Sequence, residues 1–296
     1  MGLVHLLFGY DTESPYGSQA LTEEGVKQRE ITLNVVYKLN SLFDKYKKSR
    51  TFFLLGNFLD ATKQVIGEIE TRKIFGYNHP LVDLQQHSYS HQPFRKIATR
   101  PDKEPMQPNE IEKDVMKASK LIYELFNRDC IGIRAPLGYT NGLEDETEVM
   151  NSLLRVGIKY ISSDLRDKDW GIEPSLVENG KLRQPYFYYN SLLELPSHGW
   201  QDTAFTGKSK TIGVKDYPTN AKEILDYFVN LIEKARFLSQ KHNQDIYLGL
   251  CLHPQSINVY DPELEFHAKL LEYCEKEKIL VSGYTDAYKM ISSIQP

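Results

Sequence analysis

The sequence has little of what marks a secreted, disulfide-stabilised or membrane-spanning protein. Its 296 residues include three cysteines, Cys130, Cys251 and Cys274, and no two of them have C-x-x-C spacing. So sparse and odd a set predicts reduced thiols. The N-terminus has no basic region with a small-residue cleavage site, and no apolar run approaches the ~20 residues of a membrane span. We therefore expect a cytoplasmic protein without a membrane span.

The sequence also lacks an excess of positive charge. Lysine and arginine total 36 against 40 aspartate and glutamate, which gives a net charge of −4. Because phosphate binding needs clustered cations, we expect no nucleic-acid partner. Internal repeats, low-complexity tracts and Gly/Ser linkers are missing too, so one domain over residues 1–296 is the expected organisation. Assembly into a homo-oligomer stays open.

What the sequence does contain is an alternation of short apolar runs with longer amphipathic segments. Residues 22–48 carry apolar side chains at helical spacing, and Thr22 offers an N-cap in front of two glutamates. Such alternation predicts a parallel sheet that helices cover or close. The predicted strands are 3–10, 51–55, 81–84, 131–133, 160–163, 192–195, 246–252 and 279–282; the other predicted helices are 62–74, 108–126, 146–156, 220–241 and 262–276.

Polar residues recur where these predicted strands end. One or two such residues could simply begin a loop. In a β/α barrel, however, all the carboxyl ends of the strands lie on one rim, where active sites are built. The recurrence therefore predicts a site there. In chain order the residues are Asp11, the pair His87 and His91, Arg134, Asp164, His198 and His253.

The segment His87-Ser-Tyr-Ser-His91 is the sharpest local signal. Two imidazoles four residues apart can face one metal from a helical turn or a tight loop. With Asp11 they would complete a set of two histidines and one carboxylate, which leaves positions open for water and substrate. A metal in such a site lowers the pKa of a bound water and polarises a carbonyl group.

Taken together, these motifs resemble those of the polysaccharide deacetylase superfamily, the NodB-like proteins of carbohydrate esterase family 4. Residues 10–13, Y-D-T-E, resemble its F-D-x-E form, and residues 87–91 match H-[ST]-x-x-H. Residues 134–136 match R-x-P, and residues 252–254 match a strand that ends in L-H-P. The family's fourth motif, which carries an aspartate and a tryptophan, is loosely matched by residues 164–170.

The resemblance implies a distorted barrel of the (β/α)7 type that hydrolyses an acetyl group from a sugar. It implies a divalent metal, zinc or similar, on Asp11, His87 and His91. His253 would be the general acid that protonates the leaving amine. Arg134 would orient an aspartate of the site, and Asp164 or Asp169 would orient His253.

One departure from the family pattern concerns the general base. The family has a second aspartate in the first motif, and its place here falls on Tyr10 or Gly9. Neither can take a proton at neutral pH as a carboxylate does. Three alternatives follow: Glu13, Asp164 or His198 supplies the base; metal-bound hydroxide works without one; or the protein is a metal-holding, carbohydrate-binding pseudo-enzyme.

The substrate expectation combines the resemblance with the missing export signal. An enzyme inside the cell would act on an N-acylated sugar or glycan precursor. The R-A-P-x-G segment at residues 134–138 also resembles that of cyclic-amide hydrolases of the allantoinase type, which is the alternative. Tyr139 and Trp170 could stack on a sugar, although aromatic residues at barrel mouths also pack on each other. Pro136 and His198 are further candidate substrate contacts.

Overall fold

Parallel strands and the helices that connect them make up most of the chain. The computed structural model describes residues 2–189, 191–207 and 217–294. The strands are β1 (Val4–Thr12), β2 (Arg50–Leu54), β3 (Val82–Gln86), β4 (Gly132–Tyr139), β5 (Tyr160–Asp164), β6 (Val177–Glu178), β7 (Lys181–Leu182), β8 (Tyr186–Phe187), β9 (Leu193–Glu194), β10 (Ile246–Leu252) and β11 (Leu280–Ser282). The helices are α1 (Glu23–Tyr46), α2 (Gly56–Ile66), α3 (Glu68–Ile74), α4 (Pro108–Phe126), α5 (Thr147–Arg155), α6 (Ala221–His242), α7 (Pro254–Tyr260), α8 (Glu265–Lys276) and α9 (Tyr284–Ser292).

The main sheet runs in the order β10-β1-β2-β3-β4-β5-β9, and every neighbouring pair in it is parallel. Just beyond β9, Ser197 pairs with Gly249 of β10, so the sheet curls back on itself. Beside these strands, β8 runs antiparallel to β9, β11 pairs with β1, and β6 and β7 form a separate hairpin. The predicted fold class, an α/β distorted barrel of the (β/α)7 type, is confirmed.

The hydrophobic effect explains why the central strands read as continuous apolar runs. Every residue of β1, β2 and β10 is buried. Helices cover the outer face of such a sheet, so both faces are dry. The largest apolar cluster includes Phe43 of α1 and Phe52 of β2, both fully buried. Thr22 caps α1 as predicted, since its hydroxyl accepts a hydrogen bond from Gly25 N at 3.0 Å.

The helices differ from the prediction in one instructive place. The single helix predicted over residues 62–74 is two helices, α2 and α3, which break at Gly67 with a φ of +82°. Glycine adopts this conformation without the steric cost that other residues meet. All three cysteines are free and buried. Within the described residues, no helix is long and apolar enough to cross a membrane.

Candidate active site

Polar side chains at or just after the ends of β1, β3 and β10 face one cavity at the carboxyl edge of the sheet. The cavity has a volume of about 180 Å³. This edge is where β/α barrels place their active sites. The acidic, imidazole and thiol groups that line it are Asp11, Glu13, His87, His91, Cys251 and His253; other wall residues include Ala135, Leu137, Gly138, Leu165, Arg166 and Gln201.

Glu13, His87 and His91 converge on one point of the cavity wall. Glu13 Oε2 lies 2.9 Å from His87 Nε2 and 2.7 Å from His91 Nε2. The two Nε2 atoms are 3.1 Å apart. Ligand atoms about 2.1 Å from a shared ion, at roughly right angles, are separated by about 3 Å. The three side chains therefore have the spacing and the donor types of a divalent-metal site.

Hydrogen bonding and charge make His87 suitable as a metal ligand. Its Nδ1 lies 2.9 Å from the carbonyl oxygen of Arg134. Donation of the Nδ1 proton to that oxygen leaves the Nε2 lone pair facing Glu13, as second-shell contacts of metal-binding histidines do. Burial opposes charge on both groups, yet His91 and His87 hold the pKa of Glu13 well below its ordinary value. Asp11 and Glu13 raise the pKa of His87 despite its burial.

The loop that carries the two histidines is held by a neighbouring helix. Ser88 and His91 both have left-handed backbone conformations, with φ of +64° and +63°. Asp114 of α4 accepts hydrogen bonds from the backbone N–H groups of Tyr89 at 2.7 Å and Ser90 at 3.3 Å. These bonds offset the strain of the tight loop and fix both imidazoles at one edge.

Asp11 lies outside the group formed by Glu13 and the two histidines. Its Oδ1 is 3.1 Å from Arg134 Nε, which makes a buried ion pair. Its Oδ2 is 3.5 Å from Cys251 Sγ and 4.0 Å from His253 Nε2. The sequence prediction put Asp11 against His87 and His91, whereas in the structure Glu13 makes those contacts.

Arg134 extends through the barrel interior next to Asp11. It donates hydrogen bonds to Ser162 Oγ at 3.1 Å and to the Leu250 carbonyl at 3.0 Å. A Cβ atom at Gly9 would lie 2.3 Å from Arg134 Nη2, so only glycine leaves room for the guanidinium. Burial disfavours the charge, but the Asp11 carboxylate raises the pKa of Arg134. The ion pair therefore fixes one oxygen of Asp11 and leaves the other facing the cavity.

His253 is positioned by a residue that the sequence analysis missed. Asp202 Oδ1 lies 2.7 Å from His253 Nδ1, and Asp202 Oδ2 accepts the backbone N–H of His253 at 2.6 Å. With Nδ1 engaged, Nε2 faces the cavity and lies 3.8 Å from Glu13 Oε1. Burial acts against protonation, but Asp202 raises the pKa of His253 to about 9. At neutral pH the imidazole therefore carries a proton on Nε2.

Asp164 and His198, which the sequence placed on the same rim, have other partners. Asp164 Oδ1 pairs with Arg183 Nη2 at 2.6 Å and accepts Asn141 N–H at 3.1 Å. His198 Nε2 lies 2.7 Å from the Arg183 carbonyl, and His198 Nδ1 accepts Gly249 N–H at 3.2 Å. Burial lowers the pKa of His198 to about 3, so it is neutral. Both side chains are committed to the packing of neighbouring loops.

Two of the residues predicted to contact substrate, Tyr139 and Trp170, lie beside the cavity, as does Asp169, which was predicted to orient His253. Tyr139, Asp169 and Trp170 border a second cavity of about 430 Å³. The Tyr139 hydroxyl accepts Phe94 N–H at 2.7 Å and is buried. Pro136 is buried within β4 and borders neither cavity.

Asp202 and Arg166 escaped the sequence analysis for different reasons. Asp202 lies in the long irregular segment after β9, and its signal was an aspartate two residues after Trp200, since the expected fourth motif combines those residue types. Arg166 lies two residues beyond the end of β5, where nothing in the sequence distinguishes it from a surface cation. In the structure Arg166 lines the candidate cavity, and Asp202 contacts His253.

The family model for polysaccharide deacetylase matches residues 32–160 of the chain. The matched range contains His87, His91 and Arg134, whereas Glu13 and His253 lie outside it. No curated protein shows significant sequence similarity to the chain.

Solved structures share the fold over almost the whole chain at low sequence identity. A protein described as a probable polysaccharide deacetylase from Pseudomonas aeruginosa PAO1 is 15% identical, with 99% of this chain and 92% of that chain covered and a TM-score of 0.67. Puue Allantoinase is also 15% identical, with 99% and 91% covered and a TM-score of 0.67. A mutant of BA3943 from Bacillus anthracis, a CE4 family pseudoenzyme with restored enzymatic activity, is 13% identical, with 97% and 67% covered and a TM-score of 0.51.

Proposed function

We propose that the chain, whose residues 32–160 match the polysaccharide deacetylase family model, is a metal-dependent hydrolase that removes an acyl group from a small N-acylated compound. One observation carries the proposal. A metal-type ligand set, a carboxylate held by an arginine and a protonated histidine all face the same small cavity. Hydrolysis of an amide needs these three functions: activation of water, acceptance of its proton and protonation of the leaving amine.

The proposed ligands are Glu13, His87 and His91, with Glu13 in the place that the sequence analysis gave to Asp11. The short distances among their ligand atoms support this set. Two nitrogens and one oxygen suit zinc, although other divalent ions accept the same donors. An ion bound there would activate a water molecule and polarise the acyl carbonyl.

Asp11 and His253 are the proposed general base and general acid. Arg134 pairs with Asp11 Oδ1, so Oδ2, which has only the weak donor Cys251 Sγ at 3.5 Å, is the oxygen that would accept a proton from the attacking water. His253 Nε2, 4.0 Å away, would donate its proton to the leaving nitrogen. The proton that Asp202 keeps on His253 at neutral pH suits an acid rather than a base.

This assignment removes the reason for expecting a pseudo-enzyme. A pseudo-enzyme was one alternative because the first motif lacks the second aspartate that acts as the base in the family. If Glu13 is the metal ligand, Asp11 is free to act as that base. The site then contains a complete set of groups for hydrolysis.

The size of the cavity bears on the substrate. At about 180 Å³ it is smaller than most ligand pockets, which measure roughly 300–1,000 Å³. It suits the acyl group and the adjoining atoms of a small molecule better than a polymer chain. An N-acylated sugar or precursor is the first candidate. A cyclic amide is the second, favoured by the same small volume and by the fold shared with Puue Allantoinase.

Metal content is the first measurement that tests the proposal. We expect about one zinc or similar ion per chain by elemental analysis, and a loss of most of it in His87→Ala because one of three protein ligands is removed. His242→Ala is the matched control, since His242 lies exposed in the last turn of α6. Wild-type protein that stays metal-free after reconstitution, or His87→Ala with wild-type content, would contradict the proposed ligands.

Turnover is the second measurement. The metal-loaded chain should release acetate from N-acetylated sugars or open cyclic amides, and His253→Ala should lose this activity. A loaded protein that hydrolyses no member of such a panel would contradict the proposed function even if the metal site is right.

A further inference from the structure

An arginine without a carboxylate partner lines the catalytic cavity. Arg166 follows β5 and borders the same cavity as Glu13 and His253. Within the described ranges, no carboxylate oxygen comes close enough to form an ion pair with its guanidinium. The sequence neighbour Asp167 is already engaged, because its Oδ1 accepts the backbone N–H groups of Asp169 at 3.0 Å and Gly171 at 2.6 Å.

Two fixed contacts hold the Arg166 side chain at the cavity. Its Nε and Nη2 atoms both donate to the carbonyl oxygen of Leu137, at 3.0 and 2.9 Å. Its Cζ lies 4.3 Å from the centroid of the Trp170 ring, a stacking distance for a guanidinium. Among the described residues, the remaining nitrogen, Nη1, has no hydrogen-bond acceptor. The side chain is therefore held in one orientation, and its Nη1 can still donate hydrogen bonds to a ligand.

The guanidinium keeps its charge in this position. Burial lowers the pKa of Arg166 to about 10, so the group is still charged at neutral pH, and the nearby Asp167 carboxylate favours the charged form. A half-buried cation whose hydrogen bonds go to a single carbonyl is only partly compensated. An anion in the cavity would supply the missing compensation.

The neighbouring cavity continues the same sign of charge. Tyr139 and Trp170 border it, and Trp170 stacks on Arg166, which lines the first cavity. Its charged border residues are Arg95, Lys96, Lys168 and Asp169, three cations against one anion. An anionic ligand near Trp170 therefore meets positive charge from the linings of both cavities.

We infer that Arg166 binds an anionic oxygen group of the substrate, a carboxylate or a phosphate, close to the acyl group that is removed. This inference rests on the proposed function and narrows its substrate class to small anionic amides. Guanidinium groups suit both anions because their planar donors match two acceptor oxygens. Leu137 and Trp170 fix the fork, so little side-chain entropy is lost when the anion binds.

Matched pairs of ligands test the inference. One pair is N-acetylglycine and neutral N-acetylglycinamide; the other is N-acetylglucosamine 6-phosphate and neutral N-acetylglucosamine. Each is titrated calorimetrically into the full chain carrying His253→Ala, which prevents turnover, with and without Arg166→Gln. We expect at least one anion to bind more tightly than its neutral partner, and Arg166→Gln to reduce that preference by about 10- to 100-fold. The pair that responds identifies the anion as carboxylate or phosphate.

Further variants separate anion binding from a structural role of Arg166. Lys222→Gln removes a positive charge from an exposed position in α6 that borders neither cavity, and it should leave the preference intact. Arg166→Lys retains a charge and should retain part of the preference, which it would not do if the arginine only supported Leu137 and Trp170. Thermal melting identifies a variant that has failed to fold, in which case Arg166→Lys carries the test alone.

The outcomes separate this inference from the proposed function. An anion preference that is equal in wild-type and Arg166 variants, or no preference for either anion, overturns the inference even if neutral amides are hydrolysed. A preference lost in Arg166→Gln supports it even if no acyl group is ever released, because the titrations do not depend on turnover.

Discussion

At the scale of single residues, the pair of His253 and Asp202 has a counterpart, a second histidine–aspartate pair that lies in the apolar core. His267 Nδ1 lies 2.7 Å from Asp261 Oδ2, which also accepts the His267 backbone N–H at 3.2 Å. His267 is completely buried in the apolar core. A histidine–aspartate pair is thus part of the core in one place and faces the candidate site in the other, which supplies a matched control.

Asp202→Asn should impair catalysis while the fold persists. Asparagine cannot stabilise a positive charge on His253, so the pKa of His253 falls and less of the acid form is present at neutral pH. We expect kcat to drop by about 100-fold or more. The alkaline limb of the pH–rate profile should move to lower pH, because the acid now loses its proton earlier. Steady-state kinetics from pH 6 to pH 10 measures both effects.

Asp261→Asn is the control for that experiment. It removes the equivalent buried pairing from the core and should lower the melting temperature without moving the pH–rate profile. If both variants shift the profile alike, or if neither does, Asp202 is not a positioning residue for the acid.

The sequence identified several residues of the candidate site, but not which of their side chains contact one another. Strand ends and motif spacing identified His87, His91 and His253 because those residues lie in short, regular surroundings. The sequence could not show that Glu13, rather than Asp11, contacts the two histidines. Asp11 and Glu13 both lie near the end of one strand, and the ion pair with Arg134, a residue distant in sequence, separates their environments.

At the scale of elements, the loop between β3 and α4 connects the metal-type site to the helical layer. Asp114 is the seventh residue of α4. Its carboxylate accepts hydrogen bonds from the backbone N–H groups of Tyr89 and Ser90, which lie between the two histidines in the sequence. The helix therefore sets the positions of His87 and His91 although it contributes no ligand of its own.

Asp114→Ala should weaken metal binding without removing a ligand. Two backbone N–H groups lose their acceptor, so the loop relaxes and the imidazoles no longer hold one geometry. We expect the zinc dissociation constant to rise about tenfold or more, by analogy with other outer-shell supports. Competition with a chromophoric chelator measures the constant. Lys113→Ala, an exposed neighbour on the same helix, should keep the wild-type value; equal affinities in Asp114→Ala and wild type would show that the loop holds itself.

The order of the helices and strands was predicted more accurately than the residues at which they begin and end. Apolar runs and caps identified the parallel strands and α1, because burial and capping act through nearby residues, whereas the short strands β6, β7 and β8 were not predicted. The break at Gly67 was missed because the apolar spacing continues through it. The short helices α7 and α9 were also missed, since periodicity needs several turns to be visible.

At the scale of the whole molecule, one buried carboxyl group makes the stability of the fold depend on pH. Glu194 of β9 is completely buried within an apolar strand. Its Oε1 accepts the backbone N–H groups of Ser163 and Asp164, at 2.7 and 3.0 Å, and its Oε2 accepts the Tyr188 hydroxyl at 2.9 Å. Burial, together with the nearby Asp164 carboxylate, raises the pKa of Glu194 to about 7, from an ordinary value of 4.5.

This shift has a definite sign for stability. Between pH 4.5 and about 7 the folded chain keeps a proton on Glu194 that the unfolded chain has lost. Raising the pH through that window therefore favours unfolding. At about 1.4 kcal/mol per pKa unit, the linked loss in the free energy of unfolding reaches about 3 kcal/mol by pH 8. Below pH 4.5 the contribution of Glu194 is fully present.

Glu194→Gln should remove this dependence. Glutamine is neutral at every pH, and the Ser163 and Tyr188 hydroxyls can rotate to accept its N–H groups. Urea unfolding from pH 5 to pH 8 should show the wild type losing stability relative to the variant as the pH rises. Glu23→Gln, at an exposed position in the first turn of α1, should follow the wild-type curve. Parallel curves for wild type and Glu194→Gln would mean that the hydrogen-bond donors around Glu194 outweigh its burial, so that it is ionised in the fold throughout this range.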